Sequence, residues 1–435
     1  MVIYAGLAQV IQYLNELHFS ESDLDYLKKL EIFSPNFLEY LRTFKFECDV
    51  WSVEEGTPVF PNEPLITVRG GPLVQVQLLE TMLLNIVNHE SLIATKARRI
   101  CMVARGRSVM EFGSRRAQGA DAATYGARAA VIGGCSGTAN VLSAKLFGLK
   151  PLGTMAHSWI QSFSSEKEAF MAWKKIYPHN CLLLVDTYDV LHSGVLNALE
   201  VFKQLKEEGI QSNLGIRIDS GDITYLTKQA RRMLDDAGFK DATITVSNAL
   251  DEDVIQNVLE EGASIDSFGG VGEKLITASS DPVLSGVYKL VATQENGEII
   301  PKIKLSNTVE KTTIPGFKNL YRLYDDDGQA RGDLLTLDGE KMRHNSQLFN
   351  ADPNKTYQKK KLRGLQLKPL RVQVFAKGKL VYQEPETMEI QRTSQAKLAT
   401  LPAACLRLKN PDIYDVYWTR QLKELRTQMI EQYSE

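Results

Sequence analysis

The sequence lacks paired cysteines, a marked excess of charge of either sign and long apolar runs. Its five cysteines are scattered and include no CxxC pair, which argues against a disulfide framework or structural zinc and predicts reduced thiols in a cytoplasmic protein. The formal net charge of -2 argues against a dedicated nucleic-acid-binding protein. The apolar stretch 78–87 is interrupted by Glu80 and Asn85, so no membrane helix is predicted. Residues 1–19 lack the features of a signal peptide.

What is present is the composition of a large globular protein. The chain has 435 residues, of which 43% are hydrophobic and 24% charged, enough for a barrel with attached lobes. Apolar residues at helical spacing predict helices over 8–17, 21–30 and 78–94 near the start. A final amphipathic helix is predicted over 416–432, and the basic run Lys359–Arg363 favours a solvated linker over a binding role.

Short apolar runs alternate with helical stretches through the middle of the chain. Strands are predicted over 109–112, 152–155, 181–185, 214–218, 243–246 and 265–268. Helices are predicted between them, among others over 165–173, 190–206, 223–237 and 254–260. This alternation predicts an α/β fold with a parallel sheet covered by helices, either a barrel or a doubly wound sheet.

Polar or reactive side chains, or glycines, follow every one of these predicted strands. In chain order they are Ser114, Arg115 and Arg116; His157 and Ser158; Asp186, Thr187, Tyr188 and Asp189; Arg217, Asp219, Ser220, Gly221 and Asp222; Ser247 and Asn248; and Gly269, Gly270 and Gly272. The carboxyl ends of parallel strands share one face, so we expect these residues to converge on one site.

The residue types at this site favour phosphate chemistry. Arg115, Arg116 and Arg217 carry forked donors suited to phosphate or carboxylate, although each alone is more often a surface ion pair. Gly269, Gly270 and Gly272 let backbone amides approach a phosphate, and a tight turn explains them equally well.

Four acidic residues, Asp186, Asp189, Asp219 and Asp222, offer oxygen ligands for Mg²⁺ or contacts to ribose hydroxyls. The alternative for Asp219 and Ser220 is capping of the helix that follows them.

His157 is a candidate for the reacting group. A single histidine is usually structural, but this one follows a predicted strand beside the other strand ends. No second histidine or cysteine lies at metal-ligand spacing, so no zinc site is predicted. An imidazole among phosphate-binding groups can carry a proton or accept a phosphoryl group. The residues alone therefore predict a phosphate-handling β/α enzyme, and they do not identify its second substrate.

The same residues carry a resemblance to the nicotinate phosphoribosyltransferases that extends over nearly the whole chain. The matching segments include EFGSRRAQGADAATYGARAAVIGGCSGTANVLSAKLFG (111–148), GTMAHSW (153–159), LLLVDTYDVLHSG (182–194), GIRIDSGD (215–222) and GVYKLV (286–291). The resemblance implies an irregular β/α (TIM-like) barrel of the type II phosphoribosyltransferase kind over 106–297. It also implies a flanking α+β lobe built from 1–105 and 298–435, and a homodimer.

The implied reaction converts nicotinate, phosphoribosyl pyrophosphate, ATP and water into nicotinate mononucleotide, pyrophosphate, ADP and phosphate, and is classed as a ligase when coupled to ATP. By this resemblance His157 is transiently phosphorylated and Arg115 contacts pyrophosphate. Arg217 lies near the nicotinate carboxylate, Asp219 near the ribose or a Mg²⁺ ion, and Asp186 beside the pyridine pocket. The remaining implied substrate contacts are Ser158, Arg116, Ser220 and, in the 5′-phosphate loop, Gly270 and Gly272.

The sequence departs from the family pattern at two places. The family opens with a T-D-x-Y-x-x-T-M element whose tyrosine stacks on the pyridine ring, whereas this sequence starts later, at MVIYAGL. Glu273 stands where the family's glycine loop continues as GVGT, and an acid there is unfavourable beside a phosphate unless it points away or pairs with Lys274. Two alternatives follow: a nicotinamide phosphoribosyltransferase, and a catalytically impaired homologue that acts as a binding partner.

Overall fold

The computed structural model describes residues 1–279, 281–306, 312–355 and 357–433. They divide into two compact units, the first formed by 1–91, 284–385 and 392–435 and the second by 92–283 and 386–391. Within the described ranges, no helix is long and apolar enough to cross a membrane. The three-segment division 1–105, 106–297 and 298–435 stays a prediction.

The α-helices are Leu7–Glu16 (α1), Glu21–Lys29 (α2), Pro35–Arg42 (α3), Leu73–Leu78 (α4), Glu80–Val103 (α5), Ala120–Gly133 (α6), Val141–Phe147 (α7), His157–Gln161 (α8), Glu166–Ile176 (α9), Val195–Glu207 (α10), Ile223–Asp236 (α11), Glu252–Glu260 (α12), Glu273–Ile276 (α13), Thr387–Ala399 (α14) and Arg420–Gln432 (α15). The strands are Val2–Ile3 (β1), Asp49–Val53 (β2), Pro58–Val59 (β3), Ile66–Arg69 (β4), Ser108–Glu111 (β5), Asn180–Leu184 (β6), Asn213–Ile218 (β7), Thr243–Val246 (β8), Ser267–Val271 (β9), Ala292–Glu295 (β10), Glu298–Pro301 (β11), Lys318–Tyr324 (β12), Ala330–Leu337 (β13), Gln347–Asn350 (β14), Lys359–Lys361 (β15), Gln366–Pro369 (β16), Arg371–Ala376 (β17), Lys379–Leu380 (β18) and Val416–Trp418 (β19).

The second unit is built on a parallel sheet in the order β5-β9-β8-β7-β6. Single parallel bridges from Glu111 to Thr138 and from Thr138 to Pro151 extend it beyond β5. Its strands are largely buried apolar runs, as expected where helices cover both faces of a parallel sheet. The predicted α/β fold with a parallel sheet is confirmed. No ladder among the described residues joins β6 to the segment after Pro151, so closure into a barrel stays a prediction.

Two predicted elements of this unit differ from the structure. Residues 152–155 form no strand. The backbone N–H of Leu152 donates to the carbonyl oxygen of Thr138, whereas Thr154 and Met155 accept hydrogen bonds from the side chain of Arg217. The predicted helix over 190–206 is a π-helical turn, Val190–Gly194, followed by α10. Gly194 allows this turn, since a Cβ atom there would lie 1.9 Å from the carbonyl oxygen of Val185.

The first unit contains two larger sheets, in the orders β15-β14-β19-β13-β12-β16 and β18-β17-β2-β4. The predicted linker 359–363 is wrong, since its first residues form the edge strand β15 and Leu362 is buried.

The predicted helix over 416–432 is also wrong at its start. Val416–Trp418 forms β19, inserted between β13 and β14, and Thr419 caps the helix that begins at Arg420. The apolar residues 416–418 suit a buried central strand as well as a helix, which periodicity alone does not distinguish.

A fully buried ion pair holds the core of the first unit. The guanidinium of Arg322 donates to both carboxylate oxygens of Asp333, at 2.9 and 2.8 Å, and to the carbonyl oxygen of Pro58 at 2.7 Å. The rings of Phe60 and Tyr414 stack at 3.9 Å, and each centroid lies 5.7 Å from the guanidinium carbon. Both charged side chains are 0% exposed, so neither has solvent as a substitute partner.

We expect Asp333→Asn to lower the free energy of unfolding by about 3–5 kcal/mol, because it leaves a buried guanidinium without its counter-charge. Denaturant titration followed by circular dichroism measures the change. The control is Glu21→Gln, which removes the exposed partner of Arg42 and should leave the unfolding midpoint unchanged. Equal midpoints for both variants would contradict this account.

Candidate active site

Four side chains from three segments meet at the carboxyl ends of β6 and β7. Asp186 follows β6, Arg217 lies in β7, Asp219 follows it, and His157 is the first residue of α8. The Nε2 atom of His157 lies 3.9 Å from Oδ1 of Asp186 and 3.7 Å from Oδ2 of Asp219. The predicted convergence of these strand ends is therefore present in the structure.

The guanidinium of Arg217 is held from three sides. Its Nε donates to Ser247 Oγ at 2.8 Å and its Nη2 to Asp219 Oδ1 at 3.0 Å. Its Nη1 donates to the hydroxyl of Thr154 and to the carbonyl oxygen of Met155. A guanidinium has five N–H groups, so these four contacts leave one N–H on Nη2 for a ligand.

Asp186 links the ends of β6 and β7 through one carboxylate oxygen and leaves the other without a hydrogen bond from the described residues. Its Oδ2 accepts hydrogen bonds from the backbone N–H of Asp219 at 3.0 Å and from the hydroxyl of Ser220 at 2.6 Å. Its side chain is only 1% exposed, and Oδ1 is buried with no hydrogen-bond partner in the described chain. A buried carboxylate oxygen in this state is suited to a cation or a ligand donor.

Asp219 is ionised at neutral pH. Burial alone would raise its pKa, but the hydrogen bond from Ser247, the charge of Arg217 and its hydrogen bond, and the charge of His157 together hold the pKa below its ordinary value. The carboxylate is therefore a fixed negative charge beside the imidazole.

His157 is oriented from its other nitrogen. Its Nδ1 lies 3.0 Å from the hydroxyl of Thr187, and 40% of its side chain is exposed. Nε2 thus faces two carboxylates, while the ring remains accessible to a substrate. Ser158, the second residue of α8, is exposed.

Gly270, within β9, borders the same cluster, and Gly272 follows the strand. Gly270 has a φ of +76°, which favours glycine, and a Cβ atom there would lie 3.0 Å from Cβ of Ser247. A Cβ atom on Gly113, after β5, would lie 2.8 Å from the carbonyl oxygen of Gly272. The loops after β5 and β9 are therefore in close contact.

Arg115 and Arg116 lie in a 3₁₀ turn that follows β5. Both are exposed, and Arg116 is 3.6 Å from Glu273. Lys274 instead pairs with Asp251 at 2.5 Å, so the pairing considered between Glu273 and Lys274 is not found. Neither arginine contacts the His157 cluster, and Arg115 makes no ion pair with any described residue.

The family of this chain follows from comparison with known proteins. The model of the nicotinate phosphoribosyltransferase (NAPRTase) family matches residues 107–330, and models of the N-terminal and C-terminal domains of nicotinate phosphoribosyltransferase match 1–88 and 317–426. A nicotinate phosphoribosyltransferase of Bacillus subtilis is 43% identical over 416 residues, which cover 95% of this chain and 84% of the relative. The chain belongs to the nicotinate phosphoribosyltransferase family.

One solved structure agrees with this family assignment, and a second shares the fold. The crystal structure of human nicotinic acid phosphoribosyltransferase superposes with a TM-score of 0.85 at 29% identity, over 98% of this chain and 92% of the human chain. A nicotinate-nucleotide pyrophosphorylase from Pyrococcus furiosus, at 22% identity, shares the fold with a TM-score of 0.64 over 92% of this chain and 85% of its own.

Two of the four candidate acids have a structural role. Asp222 caps α11 by accepting from the backbone N–H of Tyr225, and Asp189 caps the π-helical turn. The helix cap considered for Asp219 and Ser220 is thus made by Asp222, three and two residues further on.

Sequence reasoning placed Thr187 at a strand end without a role, and it missed Thr154 and the buried Glu111 at the end of β5. The two threonines hold Arg217 and His157. Glu111 is buried and accepts from Thr138 and the backbone of Gly113, and burial raises its pKa. Their one signal in the sequence is position, since each lies within the motifs at the strand ends.

We expect Asp219→Asn to reduce stability at neutral pH and to lose this effect in acid. A depressed folded pKa stabilises the protein above the ordinary pKa of the group, and the contribution disappears as the pH falls through the folded value. Urea unfolding of wild type and variant at pH 7 and at successively lower pH measures the difference. A difference that stays constant as the pH falls would show that Asp219 is not held ionised by its neighbours.

Proposed function

We propose that this chain joins nicotinate to phosphoribosyl pyrophosphate, giving nicotinate mononucleotide and pyrophosphate, as part of NAD biosynthesis from nicotinate. The pyridine nitrogen forms the new bond to C1 of the ribose, and the bond from C1 to the pyrophosphate oxygen breaks. The observation that carries the proposal is the cluster of His157, Asp186, Arg217 and Asp219, found in a member of this family.

The contacts of Arg217 support a place beside the nicotinate carboxylate. One N–H of its Nη2 is not used by the described residues, and the other four N–H groups hold the guanidinium in position. A fixed cation with one unused N–H favours a carboxylate over a neutral amide, because the hydrogen bond to a carboxylate is charge-assisted. We therefore propose nicotinate, rather than nicotinamide, as the acceptor.

The bond at C1 breaks with positive charge developing on the ribose and negative charge on the leaving pyrophosphate. Catalysis then consists mainly of positioning and of charge stabilisation by groups that are already in place. Arg115, exposed and without an ion-pair partner in the described chain, is free to meet the pyrophosphate. Gly270 and Gly272 offer backbone amides to the 5′-phosphate, and Ser158, Ser220 and Arg116 lie at the same strand ends.

Asp186 and Asp219 fit the requirements of a Mg²⁺ ion. Mg²⁺ is commonly held by one or two carboxylates together with substrate phosphates. Oδ1 of Asp186 has no hydrogen-bond partner among the described residues, and Asp219 is ionised. When bound, the ion supplies positive charge against the leaving pyrophosphate.

We propose further that ATP phosphorylates His157 and that hydrolysis of the phosphohistidine draws the reaction towards product. The γ-phosphoryl group moves to an imidazole nitrogen and releases ADP, and water later releases phosphate. The ring supports this role, because 40% of the side chain is exposed and an accessible imidazole nitrogen can accept a phosphoryl group. The resemblance to the nicotinate phosphoribosyltransferases, which implies this phosphorylation, also supports a homodimer in the cytoplasm. It also supports closure of the parallel sheet into a barrel, to which the contacts of Thr154 and Met155 with Arg217 on β7 add support.

The first experiment measures nicotinate mononucleotide formed from nicotinate, phosphoribosyl pyrophosphate and Mg²⁺, with and without ATP. We expect ATP to increase product formation by wild type but not by His157→Ala, because the variant lacks the phosphoryl acceptor. The control is His179→Ala, which changes an exposed histidine at the amino end of β6 and should keep the response to ATP. A full ATP effect in His157→Ala would remove this role, and preferred use of nicotinamide would favour the sibling activity.

We expect Arg115→Ala to lower kcat by about 10²–10³, the usual effect of removing one charge-stabilising donor. Steady-state kinetics of product formation measures it. Arg105→Ala is the matched control, since Arg105 is an exposed arginine near Glu260, away from the strand ends. If Arg115→Ala keeps most of its activity, as the control should, Arg115 does not belong to the site.

A further inference from the structure

The basic run 359–363 has a structural context that the proposed reaction does not explain. Lys359 and Lys361 lie on the edge strand β15, opposite Phe349 and Gln347 of β14. Directly opposed residues of neighbouring strands project to the same face of the sheet. The two lysines therefore leave the sheet on the face that carries Phe349.

Two further cations reach the same ring from the first turn of α15. The Nζ atom of Lys423 lies 4.6 Å from the ring centroid of Phe349, and Lys359 Nζ and Arg420 Cζ each lie 6.0 Å from it. These residues, with Gln347 and Glu424, line a pocket of about 410 Å³, which we call the Phe349 pocket. It belongs to the first unit, whereas the candidate active site belongs to the second.

The positive charge of the Phe349 pocket is only partly compensated by its own lining, which holds three cations and one acidic residue. None of Lys359, Arg420 and Lys423 forms an ion pair within the described residues. The first turn of α15 contains no acidic residue, although cations are unfavourable at the positive end of a helix. Glu424 is the one acidic residue among those that line the pocket. Three cations beside a helix N-terminus form the charge pattern of a site for a multiply charged anion.

Protection of a sheet edge explains only part of this pattern. Lysines on edge strands prevent pairing with other chains, which accounts for Lys359 and Lys361. It does not account for Arg420 and Lys423, which lie on a helix. Lys368 shows the ordinary case: it lies on the opposite edge strand β16, 4.7 Å from the ring of Tyr324, and no second cation lies over that ring in the described chain.

We propose that the Phe349 pocket binds a small polyphosphate group, such as pyrophosphate or a triphosphate chain. Its volume is within the range of small-ligand sites. Arg420 offers a forked donor for phosphate oxygens, and the lysines offer point charges. Because Phe349 is only 8% exposed and is covered by cations, it leaves little surface for stacking a base. The phosphate groups, rather than a nucleobase, are therefore what the pocket recognises.

The test is isothermal titration of sodium pyrophosphate and sodium tripolyphosphate into wild type, the double variant Lys359→Gln/Lys423→Gln, and the control Lys368→Gln. The active site is also proposed to bind phosphates, so the number of bound ligands per chain is counted. We expect wild type and control to bind one more equivalent of polyphosphate than the double variant does. If the double variant still binds that equivalent, we expect its affinity to be about tenfold lower. This difference should shrink as salt is added.

Lys423→Arg, which retains the charge, should bind as wild type does. All variants should form nicotinate mononucleotide at the wild-type rate without added effectors, which separates this proposal from the proposed function. Equal stoichiometry and affinity in wild type and double variant would overturn it. Binding of a short single-stranded RNA, or of phosphatidylcholine vesicles containing phosphatidylserine, without binding of either polyphosphate would overturn it as well.

Discussion

The candidate site depends on the shared carboxylate of Asp219. One of its oxygens accepts from both Arg217 and Ser247, and the other faces His157. The backbone N–H of the same residue donates to Asp186, so a single position connects β6, β7, β8 and α8. Such a carboxylate is stable in a half-buried place only while its partners remain, because burial by itself favours the neutral acid. The Asp219 carboxylate is therefore the negative charge that the imidazole of His157 and the guanidinium of Arg217 share.

The order of polar groups along the sheet explains why the sequence predicted this cluster. In a parallel sheet every strand ends at the same edge, so polar residues that follow successive apolar runs must be neighbours. His157, Asp186, Arg217 and Asp219 were found by this argument without any contact being known. Arg115 and Arg116 fit this expectation only in part. They lie at the same edge of the sheet, but β5 is separated from β7 by two strands, and neither arginine contacts the four clustered side chains.

What the sequence did not predict are the interactions made by short hydroxyl groups and by backbone. Thr154 binds Arg217, and no pattern separates it from an ordinary turn residue. The sequence predicts Thr187 at a strand end, but not its contact with His157. The composition of 152–155 predicts a strand, yet Thr154 and Met155 of this segment accept hydrogen bonds from the guanidinium of Arg217. In the first unit, the apolar residues 416–418 fit a helical period and a central strand equally well. Only tertiary pairing with β13 and β14 decides between them.

Buried and exposed charged groups are paired differently in this chain, and the difference indicates where ligands act. Arg322 and Asp333 are wholly buried and neutralise one another's charge, so these charges serve structure. Around His157 and around Phe349, several charged groups are instead partly exposed or incompletely paired. A folded chain can leave such groups unpaired at low cost only where water or a ligand completes their contacts. Incomplete pairing next to a pocket or a strand end is thus a physical sign of binding that neither composition nor fold class provides.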